Sequence, residues 1–254
     1  MASKELTTAL EAVRVAAEVI LAYYQKNPSI RRKPDDSPVT EADVRAEEVI
    51  RATLAKAFPG YGFYGEETGQ RAMEAESIWL VDPIDGTKSF VREEPFFSTQ
   101  IALMRAGELV LGVSNAPAYG ELAWAERGGG AFLNDRAIHV SPVTRLRDAS
   151  VSTGNLLSLT RPPYWERLGE LIGRTDRIRG YGDFVHYHLL ARGSLDVVIE
   201  SDVNILDIAA VTVIVREAGG TFTDIHGAPV GLATESVLAT NGALHQPVLE
   251  VLTR

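Results

Sequence analysis

Residues 79–90, WLVDPIDGTKSF, put two aspartates, a proline, a glycine and a threonine into six positions directly after an apolar run. An apolar strand that ends in carboxylates sets fixed negative charge and main-chain donors at a sheet edge, where ligands of α/β proteins collect. Asp82 and Asp85 flank a Pro-Ile step, and Pro83 biases Asp82 toward extended geometry, so the pair cannot share one helical turn. A turn is therefore expected to bring them together. Converged carboxylates repel, and the usual remedies are a shared proton or a divalent cation. With all-oxygen ligands that cation would be Mg²⁺, which keeps waters and takes further ligands from phosphate. Gly86 and Thr87 then open a short segment whose free amides suit an anion. Taken alone, the segment reads better as a capped turn whose Asp and Gly serve local hydrogen bonds, because short motifs recur by chance.

Composition narrows the partners. A chain of 254 residues, 45% hydrophobic and 23% charged, can bury a full core and is near the upper size for one compact domain. A single domain over residues 1–254 is expected, with an α+β half at about 1–145 and an α/β half at about 146–254. A net charge of −9 argues against nucleic acid or anionic membrane as main partner, since both reward clustered Lys and Arg. A phosphorylated small molecule would need a local cation to enter. The absence of cysteine excludes disulfides and thiolate metal sites and fits a reducing compartment. Residues 1–20 carry charges inside every apolar stretch, which reads as neither a signal peptide nor a membrane span and makes the cytoplasm the expected location.

Residues 5–25 have the period of an amphipathic helix with Leu6, Leu10, Val13, Ala17 and Ile20 on one face. RRKPDDSPVTEAD (31–43) follows as a Pro-rich loop, and Thr40 suits the N-cap of a helix over 41–58. Strand-like runs at 78–81, 97–104, 109–114, 121–126 and 131–133 suggest an antiparallel meander, with turns at Ala106-Gly107 and Tyr119-Gly120 and RGGGAF (127–132) as a hairpin device. After residue 149 the pattern alternates: strands at 150–153, 177–179, 195–199, 221–224 and 237–240, helices at 164–172, 184–191, 205–217 and 244–252. No internal repeat is present.

Two further acidic segments stand beside residues 79–90. GFYGEETG (62–69) presents Glu66 and Glu67 after a short strand-like run, and NILDIAAVTVIVREAGG (204–220) presents Asp207 at the start of an apolar helix. With these three segments in order, the chain resembles the inositol monophosphatase superfamily of metal-dependent, lithium-sensitive phosphatases. The likeness runs from VTEAD (39–43) to ATNGALH (239–245). It implies a layered α-β-α-β-α sandwich and a homodimer. It implies one Mg²⁺ held by Glu66, Asp82 and the carbonyl of Ile84, a second held by Asp82, Asp85 and Asp207, and a third, weaker one through Glu66 and waters. By the same resemblance Thr87 and Asp43 orient and deprotonate the attacking water, while the amides of Gly86 and Thr87 hold the phosphate. For Asp43 alone, an early-helix carboxylate favoured by the macrodipole is the simpler reading.

The substrate turns on RGYGDF (179–184) and the residues after it, which look most like the histidinol-phosphate phosphatase branch. Asp183 and Glu200 match family positions facing the alcohol portion of the substrate, next to Asp85 and Asp207. Acidic groups there suit an ammonium and an imidazole better than a neutral polyol. Asp183 could equally be a helix N-cap. Leu206 stands where family members commonly carry Trp, Lys88 reads as solvated, and the cluster Arg31, Arg32, Lys33 as a solvated loop that could reach the phosphate. His186 and His188, at i and i+2, point to different helix faces and make a poor metal site. Three functions are compatible: a histidinol-phosphate phosphatase serving histidine synthesis, the same chemistry on inositol 1-phosphate or another sugar or nucleotide monophosphate, and a regulatory binding protein on this scaffold.

Overall fold

The computed structural model describes residues 2–26, 30–32 and 38–254. In chain order its elements are α1 (Lys4–Tyr23), β1 (Ile30–Arg32), β2 (Pro38–Thr40), α2 (Glu41–Ala57), β3 (Gly62–Gly65), β4 (Gly69–Arg71), β5 (Ser77–Asp85), α3 (Thr87–Val91), β6 (Ser98–Arg105), β7 (Glu108–Ala116), β8 (Glu121–Glu126), β9 (Ala131–Leu133) and β10 (Arg136–Ile138). There follow β11 (Ser150–Thr153), α4 (Tyr164–Ile172), β12 (Arg177–Arg179), α5 (Asp183–Ala191), β13 (Val197–Ser201), α6 (Ile205–Glu217), β14 (Thr221–Thr223), β15 (Ser236–Thr240) and α7 (His245–Thr253).

Strand alternation sorts the apolar residues into layers. In β5, Trp79 and Val81 point to one side of an eight-stranded sheet, ordered β10-β9-β8-β7-β6-β5-β3-β4, and pack with α1 and α2. Ile78 and Leu80 point to the other side and meet α5 and α6. Beyond those helices lies a five-stranded sheet, ordered β12-β11-β13-β15-β14; its Val198, Val237 and Ala239 face α6, while Val197, Ile199 and Leu238 face α4 and α7. The result is the expected α-β-α-β-α stack. None of the described helices is long and apolar enough to cross a membrane.

Several local expectations shift in detail. The buried face of α1 is Leu6, Ala9, Ala12, Val13, Ala16 and Ile20, not the stripe through Leu10 and Ala17, and its alanines let α1 lie close against α2. Ser3 caps α1 by accepting from Leu6 N at 3.0 Å. The loop expected at 31–43 contains the antiparallel pair β1 and β2. Lys33 lies outside the described residues, and Arg31 and Arg32 enter only as strand backbone. Short edge strands β4 (GQR) and β10 (RAI) escaped notice because three largely exposed residues carry no period. The meander from β5 to β9 forms as expected, with Gly107 and Gly120 at positive φ in its turns. The second sheet is mixed: β11 runs parallel to β12 and β13, but β15 runs antiparallel to both β13 and β14. The strand expected at 195–199 sits at Val197–Ser201, which brings Glu200 into the ladder.

Helix α6 lies between the sheets, so it is apolar all round, with Ile205, Leu206 and every residue from Ile208 to Val215 buried. Leu206, in place of the family's Trp, packs in this core. One glycine makes the fit possible. A Cβ on Gly112 in β7 would lie 2.2 Å from the carbonyl oxygen of Ala210, so only glycine lets the helix backbone touch the sheet. Gly112→Val is expected to cost at least about 1–3 kcal/mol, the usual range for overpacking, and to lower Tm in a thermal melt by roughly 2–4 °C per kcal/mol. An unchanged melt would show that α6 does not rest on β7 at this point.

Candidate active site

Asp82 and Asp85 converge through a bulge, not through the turn expected from the sequence. Asp82 pairs with Gln100 and Asp85 with Ser98, so three steps along β5 match two along β6. In a regular strand, residues three apart face opposite sides; one extra residue reverses the phase and aims both carboxylates the same way. Thr99 Oγ1 donates to the carbonyl of Pro83 at 2.9 Å and pins the bulge. Asp82 Oδ1 accepts from Ile84 N at 2.9 Å, and Asp85 Oδ2 lies 3.3 Å from Ser98 Oγ.

The third carboxylate arrives from α6. Asp207 sits in its first turn and accepts from Asn204 N at 2.9 Å and Asn204 Nδ2 at 2.8 Å, a reciprocal cap that fixes its rotamer. One carboxylate oxygen from each of Asp82, Asp85 and Asp207 lies within 4.8 Å of the others. Burial pushes the Asp82 and Asp85 carboxyls well above the usual range. Repulsion adds to this, from Glu66, Asp85 and Asp207 at Asp82 and from Asp183, Asp207 and Glu200 at Asp85. Asp207 is raised to about 7 by burial, opposed by its Asn204 bonds and reinforced by Glu66 and Glu200. Hard oxygen donors that repel one another in a dry pocket fit a divalent cation such as Mg²⁺.

Glu66 follows β3, with its N–H donated to the carbonyl of Val81 at 3.2 Å, and its charge acts on Asp43, Asp82 and Asp207. Its turn is braced by a residue that sequence reasoning missed. Glu47 of α2 is fully buried and accepts from Glu67 N at 2.7 Å and Thr68 N at 2.8 Å. Gly65 makes room for it, since a Cβ there would lie 2.5 Å from Glu47 Oε1. A glutamate four positions after Asp43, on the same helix face, was the available signal.

Asp43 caps α2 and also faces Thr87. Its Oδ2 accepts from Thr40 N at 2.7 Å and Thr40 Oγ1 at 2.6 Å, while Oδ1 lies 3.3 Å from Thr87 Oγ1. Thr87 Oγ1 also lies 3.0 Å from the carbonyl of Ile84. Burial raises the Asp43 carboxyl, and its Thr40 bonds lower it in part. Gly86 opens α3 at φ 87°, where a Cβ would come within 2.6 Å of the carbonyl of Phe96.

A cavity of about 330 Å³ lies over this floor, lined by Glu66, Gly86, Thr87, Lys88, Asn155 and Asp183 among others. Lys88 is exposed, as expected, and borders the cavity. Asp183 does not cap α5: Gly182 holds the N-cap position, Asp183 follows at φ 44°, and no described residue donates a hydrogen bond to its carboxylate. Burial and Glu200 raise Asp183 to about 6, against His186 and Lys88. Glu200 is differently placed. Its Oε1 accepts from Asn155 N at 3.1 Å, and Oε2 meets His186 Nε2 at 3.2 Å and Tyr187 OH at 2.7 Å. Burial pushes this carboxyl up, and the His186, Tyr187 and Asn155 contacts outweigh it and hold it below the ordinary value. The two histidines diverge as expected: His188 Nδ1 meets Glu121 Oε2 and Nε2 meets Ser114 Oγ, each at 2.9 Å.

The direction of these shifts sets a pH dependence. A carboxyl with a folded pKa above its unfolded value holds its proton more tightly when folded. Its contribution is therefore most favourable below the unfolded value and is lost as pH rises through the folded one. For Asp207 that window runs from 3.8 to about 7. Asp82→Asn keeps the acceptor for Ile84 N and removes one repelling charge. In excess chelator the variant is expected to melt several degrees above wild type at pH 8, since a relief of each kcal/mol is worth roughly 2–4 °C, and the gap should close near pH 4. Added Mg²⁺ should raise the wild-type Tm and leave the variant's unchanged. A variant less stable than wild type at pH 8 without metal would mean that the carboxylates do not repel.

Known proteins share this framework. The model of the inositol monophosphatase family matches residues 1–253. A histidinol-phosphatase of Mycobacterium tuberculosis is 44% identical over 233 residues, covering 89% of this chain and 87% of its own. An inositol-1-monophosphatase of Rhizobium meliloti is 37% identical over 233 residues, covering 90% of this chain and 88% of its own. The crystal structure of the extragenic suppressor protein suhB of Bartonella henselae superposes with a TM-score of 0.91 at 33% identity, covering 99% of each chain. Because the match runs through both sheets and not merely through the aspartate motif, family membership is a property of the whole chain: it belongs to the inositol monophosphatase family and is a phosphomonoesterase.

Proposed function

We propose that this phosphatase uses Mg²⁺ to hydrolyse histidinol phosphate to histidinol and phosphate, serving histidine synthesis. The observation that carries the substrate choice is Asp183, a carboxylate in the cavity wall with no hydrogen-bond donor among the described residues, and so available to a cationic amino alcohol. The histidinol-phosphatase relative at 44% identity supports the same choice. Glu200 contributes at one remove: its oxygens already accept from Asn155, His186 and Tyr187, so it sets the field around Asp183 and Asp85 and holds the wall in place.

The residues that would hold the cations are Glu66, Asp82, Asp85 and Asp207 with the Ile84 carbonyl. When bound, such ions supply Lewis-acid polarisation of the phosphoryl group and lower the pKa of water. Thr87 and Asp43 form the proton path. The threonine hydroxyl, 3.3 Å from Asp43 Oδ1, can take up a proton from a water as it passes its own to the carboxylate. Burial favours Asp43 as acceptor, since it raises the carboxyl above its ordinary value. The amides of Gly86 and Thr87 at the start of α3 orient the phosphate. A homodimer, a cytoplasmic location and a third, weaker Mg²⁺ at Glu66 belong to the same proposal, on the family resemblance alone.

A second reading, inositol 1-phosphate as substrate, is favoured by Lys88, whose charge lies close enough to Asp183 to offset it, and by the inositol-1-monophosphatase relative. Phosphate release should be measured with histidinol phosphate, inositol 1-phosphate and an adenosine bisphosphate. The expected outcome is preference for the first, dependence on Mg²⁺, inhibition by Li⁺ and no turnover in excess chelator. Turnover of none of the three would favour a binding role. Asp183→Asn should lower kcat/KM for histidinol phosphate by about 10- to 100-fold, the worth of one charge-assisted hydrogen bond, and leave inositol 1-phosphate nearly unchanged. Equal losses on both would return the assignment to the broader sugar-phosphate class.

A further inference from the structure

A second cavity, of about 470 Å³, lies between the C-terminal end of α2 and the beginnings of β3 and β5. About 16 Å of helix, at 1.5 Å per residue, separates Asp43 in the active site from Leu54 in this cavity's wall. The volume is within the usual range for a small-molecule site.

Its walls combine two kinds of group. Phe58 and Tyr61 are stacked at 4.8 Å between centroids, and Trp79 lies 5.9 Å and 6.1 Å from them. The indole N–H of Trp79 is buried and has no acceptor among the described residues. Arg51 and Arg71 also line the cavity, and among the described residues neither pairs with a carboxylate. The Lys4 ammonium adds a third positive charge, 5.1 Å from the centre of the Phe58 ring. Glu5, which meets Tyr61 of this wall at 3.0 Å, is also engaged by Arg105 at 2.8 Å.

We infer that this cavity binds a planar aromatic carboxylate, separately from the phosphatase site. The ring packs against Phe58, Tyr61 and Trp79, whose flat faces favour a planar partner. The carboxylate lies between Arg51 and Arg71, whose forked guanidinium groups match it. An aliphatic or uncharged ligand would use only one of the two features.

The test is calorimetric titration of the whole protein with naphthalene-2-carboxylate at low ionic strength, where the arginines are least screened. One saturable site is expected in wild type and, with equal affinity, in Asp82→Asn, which places it away from the acidic cluster. The Arg51→Gln/Arg71→Gln double variant should bind at least about tenfold more weakly, as should naphthalene-2-carboxamide on wild type, since both comparisons remove charge-assisted hydrogen bonds. The carboxamide arm stands even where the double variant fails to fold. Absence of saturable binding, equal affinity for the carboxamide, undiminished affinity in a folded double variant, or loss of binding in Asp82→Asn would each overturn the assignment.

Discussion

The contact between α6 and β7 carries the architecture. Where the backbone of a buried helix comes this close to a sheet, the sheet can offer no side chain, and Gly112 supplies that gap beneath Ala210. From this seat α6 separates the two sheets and fills the space between them with Ile, Val and Ala. Its first turn then projects past the end of β5. Asp207, held by Asn204, thereby comes within 4.8 Å of oxygens of Asp82 and Asp85.

The active site is built against its own electrostatics. Each carboxylate of the cluster is raised by burial and by its neighbours, so the metal-free fold carries a cost that the surrounding structure must offset. Reciprocal caps are one means of doing so. Thr40 with Asp43, and Asn204 with Asp207, turn helix-capping hydrogen bonds into rotamer clamps. The same clamps limit how far the acids can retreat from one another. Oxygen donors held in this way could hold a divalent cation, in keeping with a family of metal-dependent phosphatases.

A second tier of buried acids supports the first. Glu47 holds the turn after Glu66, and Glu200 joins β13 to α5 through His186 and Tyr187 and to the Asn155 loop. Each is accommodated by a glycine, Gly65 and Gly154, whose Cβ would collide with the carboxylate. These pairs hold the cavity wall beside Asp183, whose carboxylate accepts no hydrogen bond from the described residues.

Periodicity and capping chemistry made most of the elements legible in the chain itself. The helical period of α1, Thr40 before α2, the alternating runs of the meander and the unbroken apolar stretch of α6 follow from local propensity, and local propensity is carried by adjacent residues. The acidic segments were equally visible, because Asp82, Asp85 and Asp207 sit at the ends of such runs. What a linear reading could not supply depends on residues distant in sequence. The bulge in β5 exists only as a mismatch with β6, so sequence alone suggested a turn. The antiparallel placement of β15 is set by which neighbours close the second sheet, and helix-strand alternation does not encode it. Glu47, Gly65 and Gly112 gain their roles from partners 18, 18 and 98 positions away, respectively, and Asp183 is freed from capping by a backbone turn at Gly182. Local sequence determined which segments form and where the acids lie; the tertiary structure decided which way the acids point, because side-chain direction is set by register and packing between segments.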